Sequence, residues 1–194
     1  MLRVISGALK GQKIETPEGQ GTRPVLTRVR KAVFDALQFA VPGTRILDLF
    51  AGSGSYAFEA LSLGAASATI IEKDLQAYRI LVRNARALGV ENQTECLRGD
   101  ALEEIPALSR RGRRYEFVFV APPQGLGLVA STLARVGQYP LLSPSGLVVA
   151  QHHPKEYREG LAKEGWVLER ERKYGQTVVG FYQSRSVPER SRAE

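Results

Sequence analysis

An acid and two glycines in the first third of the chain have the spacing of a ligand-binding turn. Asp48 lies in an apolar run and is followed by Gly52 and Gly54. Glycines at this spacing permit a tight turn and let a ligand lie against bare backbone before the next helix begins. A carboxylate in an apolar run is costly unless it is partnered, and a cationic group of a ligand would be a suitable partner. The predicted floor of the site comprises Asp48, Phe50, Ala51, Gly52, Ser53 and Gly54.

Two further acids stand at the ends of later predicted strands. Glu72 ends the second, where its carboxylate could accept hydrogen bonds from both hydroxyls of a ribose. Asp100 follows Gly99 at the end of the third, where it could accept a hydrogen bond from the amino group of an adenine. A structural interpretation is equally open, because Asp100 precedes a predicted helix and could cap it, and Asp74 could cap the helix after Glu72.

Consecutive prolines mark a fourth position. The apolar run YEFVFV is followed by Ala121-Pro122-Pro123-Gln124. Two prolines fix φ twice and leave two carbonyl groups without neighbouring N–H groups, which makes a rigid edge that offers hydrogen-bond acceptors. A simple turn is the alternative, although prolines directly after a central strand are uncommon.

The elements that position these groups follow from the hydrophobic pattern. Strands are predicted at 45–50, 67–73, 93–99, 115–121 and 146–151, and helices at 55–63, 75–88, 101–108 and 127–138. This alternation predicts an α/β fold with a mostly parallel sheet covered by helices on both faces. Ligands of such sheets bind beyond the carboxyl ends of the strands, so the four candidate positions are expected along one edge.

The two ends of the chain have other patterns. Alternation at 2–6 and 12–16 predicts a small β-hairpin, and Thr27 is the predicted N-cap of a helix. The apolar face of that helix is predicted to carry Val29, Val33, Phe34, Leu37 and Phe39. Segments 166–173 and 177–183 predict an antiparallel hairpin, and the polar tail is expected to be disordered. The predicted division is therefore 1–40, an N-terminal hairpin and helix, 41–184, the α/β domain, and 185–194, the tail.

Composition sets limits on location and partners. The chain has 194 residues, one cysteine and no apolar run near the length of about 20 that crosses a bilayer, which predicts a cytoplasmic protein without a membrane span, disulfide or cysteine-based metal site. Its net charge of +7 is concentrated in residues 1–31 and in a cluster at 110–114. Such clusters suit phosphate, although a merely solvated surface explains the charge equally well. The predicted RNA-binding residues are Lys10, Arg23, Arg28, Arg30 and Lys31.

One rival class shares part of the pattern. The G-x-G-x-x-A fingerprint of dinucleotide-binding enzymes is matched by Gly52, Gly54 and Ala57, and such enzymes also have an acid at the position of Glu72. Asp48 argues against a dinucleotide, because a carboxylate there suits a cationic amino group and disfavours a pyrophosphate.

The order of these segments resembles the class I S-adenosylmethionine-dependent methyltransferases. The N-terminal half resembles one family in particular, the bacterial 16S rRNA (guanine-N2)-methyltransferases, whose motifs are similar to RVISGxxKGxxL, RPTTDRVREALF and DLFAGSGxxGxEALSRGA. This chain has RVISG from Arg3, RPVLTRVRKAVF from Arg23 and DLFAGSGSYAFEALSLGAAS from Asp48. IEKD at 71–74 and RGDA at 98–101 are in register, and the match covers about residues 3–124.

The resemblance implies a Rossmann-like fold with a seven-stranded sheet and an S-adenosylmethionine cofactor, and it adds Lys73 and Ala101 to the cofactor site. It also implies transfer of a methyl group to the exocyclic N2 of a guanine, with 16S rRNA or the assembling small subunit as partner, without a metal and as a monomer. The implied catalytic residues are Ala121, Pro122, Pro123 and Gln124, where the family has Asp or Asn, two prolines and an aromatic residue. Because Ala121 has no acceptor, an rRNA-binding factor with weakened catalysis and a methyltransferase for another base are the alternatives.

Overall fold

Seven strands form one sheet in the order β5-β4-β3-β6-β7-β9-β8. The computed structural model describes residues 1–17, 24–123, 126–154 and 165–185. The strands of the sheet are β3 (Arg45–Asp48), β4 (Ser67–Glu72), β5 (Thr94–Arg98), β6 (Tyr115–Val120), β7 (Leu142–His152), β8 (Trp166–Tyr174) and β9 (Thr177–Ser184). The predicted strands are confirmed to within two residues, except that β7 begins four residues earlier than expected.

Strands β3 to β7 are mutually parallel, and β9 is inserted antiparallel between β7 and β8. The predicted C-terminal hairpin is thus confirmed as β8 and β9. Strands β4 and β6 are mostly apolar and buried because helices cover both faces of the sheet, whereas β5 at its edge is only partly buried. The predicted fold class, a mostly parallel sheet with helices and a small N-terminal hairpin, is confirmed.

The helices of the α/β unit are α2 (Ser55–Ser62), α3 (Leu75–Ala87), α4 (Ala101–Arg110) and α5 (Leu128–Gln138), with a short 3-10 helix at Glu91–Gln93. Two apolar clusters divide between the faces of the sheet. One contains residues of α2 and α3 together with the strand residues Ile46, Phe117 and Phe119, and the other contains residues of α4 and α5 with Leu47, Val118 and Val120. This alternation along β3 and β6 follows from the two-residue period of a strand. We call the first of these sides the α2 face. No helix in the described ranges has the length and apolar character that a membrane span requires.

The N-terminal hairpin is shorter than predicted, with β1 (Leu2–Arg3) antiparallel to β2 (Lys13–Ile14). Helix α1 (Pro24–Leu37) begins three residues before Thr27, so the predicted N-cap role of Thr27 is wrong. Proline is favoured in the first turn because its fixed φ suits the helix and its missing N–H group needs no partner there. Phe39 lies beyond the helix and is 94% exposed, so its predicted place on the apolar face is also wrong. The predicted tail at 186–194 lies outside the described residues.

A buried ion pair fixes the N-terminal segment to helix α2. Glu59 of α2 is fully buried, and its carboxylate accepts hydrogen bonds from the backbone N–H groups of Ile5, at 2.9 Å, and Ser6, at 2.7 Å. The Arg30 guanidinium lies 3.6 Å from the same carboxylate and donates to the Arg3 carbonyl at 2.7 Å. A buried carboxylate with this many donors is well solvated by the protein itself, so Glu59 joins the hairpin and α1 to α2.

A buried amide makes a second connection. Asn84 of α3 accepts from the Glu15 N–H at 2.9 Å and donates to the Glu15 carbonyl at 2.9 Å. It also donates to the Ser53 carbonyl at 3.0 Å, in the turn after β3. One side chain therefore positions both the end of the N-terminal hairpin and the glycine turn.

Candidate functional site

The candidate acids follow three adjacent strands at one edge of the sheet. Asp48 ends β3, Glu72 ends β4 and Asp100 follows β5, while Ala121 follows β6 on the other side of β3. The register confirms this alignment, because Asp48 pairs with both Ile70 and Phe119. The sequence-based expectation of a shared carboxyl edge is therefore confirmed for these four positions.

The glycine turn leaves space where a ligand would lie. Gly52 has a φ of 54° and no atom within 4 Å of the place that a Cβ would occupy. Gly54 has a φ of 82°, and a Cβ there would come within 2.5 Å of Leu81 and Phe58. The two glycines thus have different roles, since Gly54 permits close packing of the turn on α2 and α3 whereas Gly52 keeps the opposite side open.

Asp48 is buried and incompletely partnered. It is 1% exposed, and its Oδ2 atom has no hydrogen-bond partner among the described residues. Burial raises the pKa of Asp48 to about 7, opposed by hydrogen bonds from the backbone N–H groups of Ala57 and Phe50 and reinforced by the nearby Glu72 carboxylate. A cationic partner would stabilise the ionised form of such a buried, partly unpartnered carboxyl group.

Glu72 fixes the shape of the turn. Its Oε2 accepts from the Gly52 N–H at 2.7 Å and its Oε1 accepts from the Asp74 N–H at 2.7 Å. A carboxylate has about four lone-pair directions, so each oxygen keeps one for a ligand hydroxyl. Asp74 caps α3 by accepting from the Ala77 N–H at 2.8 Å, which confirms its predicted capping role.

Asp100 is the N-cap of α4, as its structural interpretation predicted. Its Oδ1 accepts from the Leu102 N–H at 2.9 Å. Its Oδ2 accepts from the exposed Lys73 ammonium at 2.8 Å, and this hydrogen bond lowers the pKa of the Asp100 carboxyl. Lys73 therefore orients the candidate acid Asp100. Ala101 is buried in the first turn of α4.

The remaining members of the turn have supporting positions. Ala51 donates its N–H to the Ile71 carbonyl at 3.1 Å, and Phe50 packs partly buried on the α4–α5 side of the sheet. Ser53 is 7% exposed. After β6, Ala121 is half-buried, Pro122 is buried and Pro123 is exposed, whereas Gln124 lies outside the described residues.

Two polar residues on the α2 face, Tyr56 and Gln151, were not predicted from the sequence. The Tyr56 hydroxyl donates to Gln151 Oε1 at 2.9 Å. The Tyr56 ring packs against Phe119 and Phe34, with centroids 5.2 Å and 5.8 Å away. A polar residue ending an apolar strand beside the proline motif was the signal for Gln151, just as an acid within the apolar helix SYAFEALS was the signal for Glu59.

The predicted RNA-binding residues have different environments. Lys10 and Arg28 are exposed, and so is Lys31, which pairs with Asp35 at 2.7 Å. The prediction for Arg30 is wrong, because Arg30 is 2% exposed and its guanidinium is committed to Glu59 and the Arg3 carbonyl. Arg23 lies outside the described residues.

Comparison with known proteins finds relatives over nearly the whole chain. A family model described as Conserved hypothetical protein 95 matches residues 2–183. The chain belongs to this family. Ribosomal RNA small subunit methyltransferase D of Escherichia coli (strain K12) is 33% identical over 184 residues, which are 94% of this chain and 89% of the relative. The resemblance drawn from the sequence motifs is thereby confirmed.

Two further relatives extend the match. YlbH of Bacillus subtilis (strain 168) is 30% identical over 184 residues, which are 95% of this chain and 100% of the relative. The solved structure of yhhF from Escherichia coli matches with a TM-score of 0.81 and 31% identity, and the match covers 94% of this chain and 97% of that one. The likeness to this structure extends over nearly the whole of both chains.

The raised pKa of Asp48 predicts a pH-dependent stability. Between pH 4 and 7 the folded protein keeps a proton that the unfolded chain releases, so the free energy of unfolding falls as pH rises through this window. The variant Asp48→Asn keeps an acceptor for the two backbone N–H groups and loses the charge. We expect it to be more stable than the parent at pH 8, by up to about 4 kcal/mol, and close to the parent at pH 4.

Urea denaturation of both proteins at the two pH values measures this difference. Asp35→Asn removes an exposed acid of α1 and serves as the control, with an expected change below about 1 kcal/mol at either pH. Equal differences between Asp48→Asn and the parent at pH 4 and pH 8 would contradict the assignment of a raised pKa to Asp48.

Proposed function

We propose that the protein transfers a methyl group from S-adenosylmethionine to the exocyclic N2 of a guanine in 16S rRNA. The observation that carries the proposal is the alignment of a buried, incompletely partnered acid, an open glycine turn and a proline motif along one sheet edge. The small-subunit rRNA methyltransferase of Escherichia coli that is 33% identical to this chain supports the substrate class. Action on ribosomal RNA is also consistent with the predicted cytoplasmic location.

The site residues fit this cofactor one by one. Asp48 Oδ2, which has no hydrogen-bond partner among the described residues, would accept a charge-assisted hydrogen bond from the ammonium group of a methionine moiety. The free lone pairs of Glu72 suit the two ribose hydroxyls, and the open side of Gly52 admits the ligand against the backbone. Asp100 is held by Lys73 at the position where the adenine amino group would donate.

The protein's main contribution is alignment. S-adenosylmethionine supplies a methyl group that is already activated by a sulfonium leaving group. The chain has to hold the guanine amine in line with that methyl group and keep water out of the cleft. The Pro122 carbonyl is a backbone acceptor directly after β6, where it would accept a hydrogen bond from the amine. The base must be unstacked or in a loop to reach the cleft.

Exposed cations of the N-terminal segment would bind the flanking phosphates. Lys10 lies in the turn of the hairpin, and Arg28 and Lys31 lie on the exposed side of α1. Glu59 and Arg30 fix this segment against α2, the helix that follows the glycine turn. Binding energy from these contacts can therefore be used to orient the target base.

Nucleoside mass spectrometry after incubation with S-adenosylmethionine and unmethylated 30S particles tests the reaction. The expected result is N2-methylguanosine, formed once per particle by the parent protein. Particles that contain no methylated guanosine after incubation with excess protein would contradict the proposal and favour an rRNA-binding factor, while methylation of another base would contradict the guanine assignment.

A matched pair of glycine variants tests the cofactor site by a binding measurement. Gly52 and Gly112 both have positive φ and open space at the Cβ position, so alanine imposes a similar backbone strain at each. Gly52→Ala places a methyl group in the cofactor space and should weaken S-adenosylmethionine binding at least about tenfold by calorimetry. Gly112→Ala, in the turn between α4 and β6, should bind as the parent does.

The RNA surface predicts a change in salt dependence. Replacing Lys10, Arg28 and Lys31 together by alanine should reduce the slope of log affinity against log salt by about 0.7 to 0.9 for each phosphate that the variant no longer binds. A control variant replaces Arg110, Arg111 and Arg114, which lie near the amino end of β6, and removes the same charge. Filter binding of 16S rRNA at several salt concentrations measures both slopes. Equal reductions in the two variants would indicate a net-charge effect and contradict a local interaction.

A further inference from the structure

We propose that the side-chain amide of Gln151 supplies the hydrogen-bond acceptor that Ala121 lacks, and that Tyr56 holds this amide in place. The inference rests on the proposed methylation of a guanine amine. It assigns a substrate-contacting role to a residue of β7, the neighbour of the strand that carries the proline motif.

The register of the sheet places Gln151 beside Ala121. Strands β6 and β7 are parallel, and Val120 pairs with Ala150 as the last of four consecutive pairs. Adjacent strands lie about 4.8 Å apart, and paired residues of parallel strands point to the same face. The residues that follow this pair, Ala121 after β6 and Gln151 in β7, therefore lie at the same level and on the same face. An acceptor missing from one strand is available on the next.

The observed contacts of Gln151 establish that face independently. Two residues before Ala121, Phe119 packs against the Tyr56 ring with a centroid distance of 5.2 Å. The Tyr56 hydroxyl donates to Gln151 Oε1 at 2.9 Å. Asp48, which pairs with Phe119, also lies on the α2 face, and its charge acts on Tyr56. The predicted cofactor acid, Ala121 and Gln151 consequently share one side of the carboxyl edge.

The hydrogen bond from Tyr56 orients the Gln151 amide and occupies only one of the two lone pairs on its oxygen. A carbonyl oxygen accepts two hydrogen bonds, so one lone pair of Gln151 Oε1 remains for a substrate N–H group. The ring is held by Phe34 and Phe119, and burial raises the pKa of the Tyr56 hydroxyl, which keeps it a donor at neutral pH. Tyr56 is thus a positioning residue.

The chemistry requires an acceptor and no base. The lone pair of the guanine N2 forms the new N–C bond as the methyl C–S bond breaks, and the electron pair of that bond stays on sulfur. The methylated nitrogen then releases a proton to solvent water as the product base leaves the cleft. Before attack that lone pair is delocalised into the ring, and acceptors on the two amine hydrogens favour its localisation. The Pro122 carbonyl and Gln151 Oε1 are one acceptor for each hydrogen.

Removing the amide tests the assignment. Gln151→Leu keeps the approximate size of the side chain and loses the acceptor, and we expect the single-turnover rate constant on 30S particles to fall on the order of a hundredfold. Affinity for S-adenosylmethionine and for 16S rRNA should stay within about threefold of the parent, since neither depends on this acceptor. Gln138→Leu is the control. Gln138 is exposed and is the last residue of α5, the helix that leads away from the carboxyl edge of the sheet after β6.

A second variant moves the acceptor back to β6. In the Gln151→Leu background, Ala121→Asn should recover at least about tenfold of the missing rate, which a purely structural role of Gln151 would not allow. Tyr56→Phe removes only the hydroxyl and should lower kcat several-fold with little change in KM. This variant also decides the question if melting temperatures show that Gln151→Leu is unfolded.

The outcomes separate this inference from the proposed function. An active parent with unchanged rates in Gln151→Leu, or with an unchanged kcat in Tyr56→Phe, would overturn the role of Gln151 and leave the methyltransferase assignment intact. A parent that forms no N2-methylguanosine would overturn both. A loss of rate in Gln151→Leu that Ala121→Asn repairs would establish the acceptor.

Discussion

Burying a carboxylate in an apolar sheet is the constraint on which this site depends. Asp48 and Glu59 are both buried on the α2 face, and the protein treats them differently. Glu59 accepts hydrogen bonds from the backbone N–H groups of Ile5 and Ser6, forms an ion pair with Arg30, and so fixes the N-terminal segment. Asp48 receives backbone donors on one side only, and its second oxygen is left without a partner among the described residues. The satisfied acid is structural, whereas the incompletely satisfied acid is suited to a cationic ligand.

Sheet topology brings the other groups to the same place. Because β3 has β4 on one side and β6 on the other, the glycine turn lies between the acid that would hold a ribose and the motif that would hold the base. The Glu72–Gly52 hydrogen bond makes the turn and the second acid one unit. Asn84 extends that unit to the hairpin through its hydrogen bonds with Glu15 and Ser53. The proposed cofactor cleft and the proposed RNA-contacting segment are thereby connected through one side chain.

Sequence patterning predicted the sheet, its helices and the alignment of the site acids, because two-residue and helical periodicities are local signals. It failed where long-range partners decide. Arg30 resembles a surface cation within RVRK, yet its partner Glu59 is 29 positions away and buries it. Gln151 gains its meaning only from the pairing of β6 with β7, and Thr27 has no capping role because the helix begins at Pro24. The family resemblance supplied the expected chemistry but no residue to replace the missing side chain at Ala121.

The central claim is that Asp48 is kept incompletely partnered for a cationic cofactor group, and calorimetry of S-adenosylmethionine binding between pH 6 and 8 tests it most directly. Since the pKa of Asp48 is raised to about 7 and binding needs the ionised form, affinity should rise with pH below 7 by up to about tenfold per unit and level off above it. Proton release should accompany binding at pH 6, and Asp48→Asn should bind weakly with no such pH dependence. Tight binding by the parent at an affinity that is constant from pH 6 to 8, with no proton released, would contradict the account.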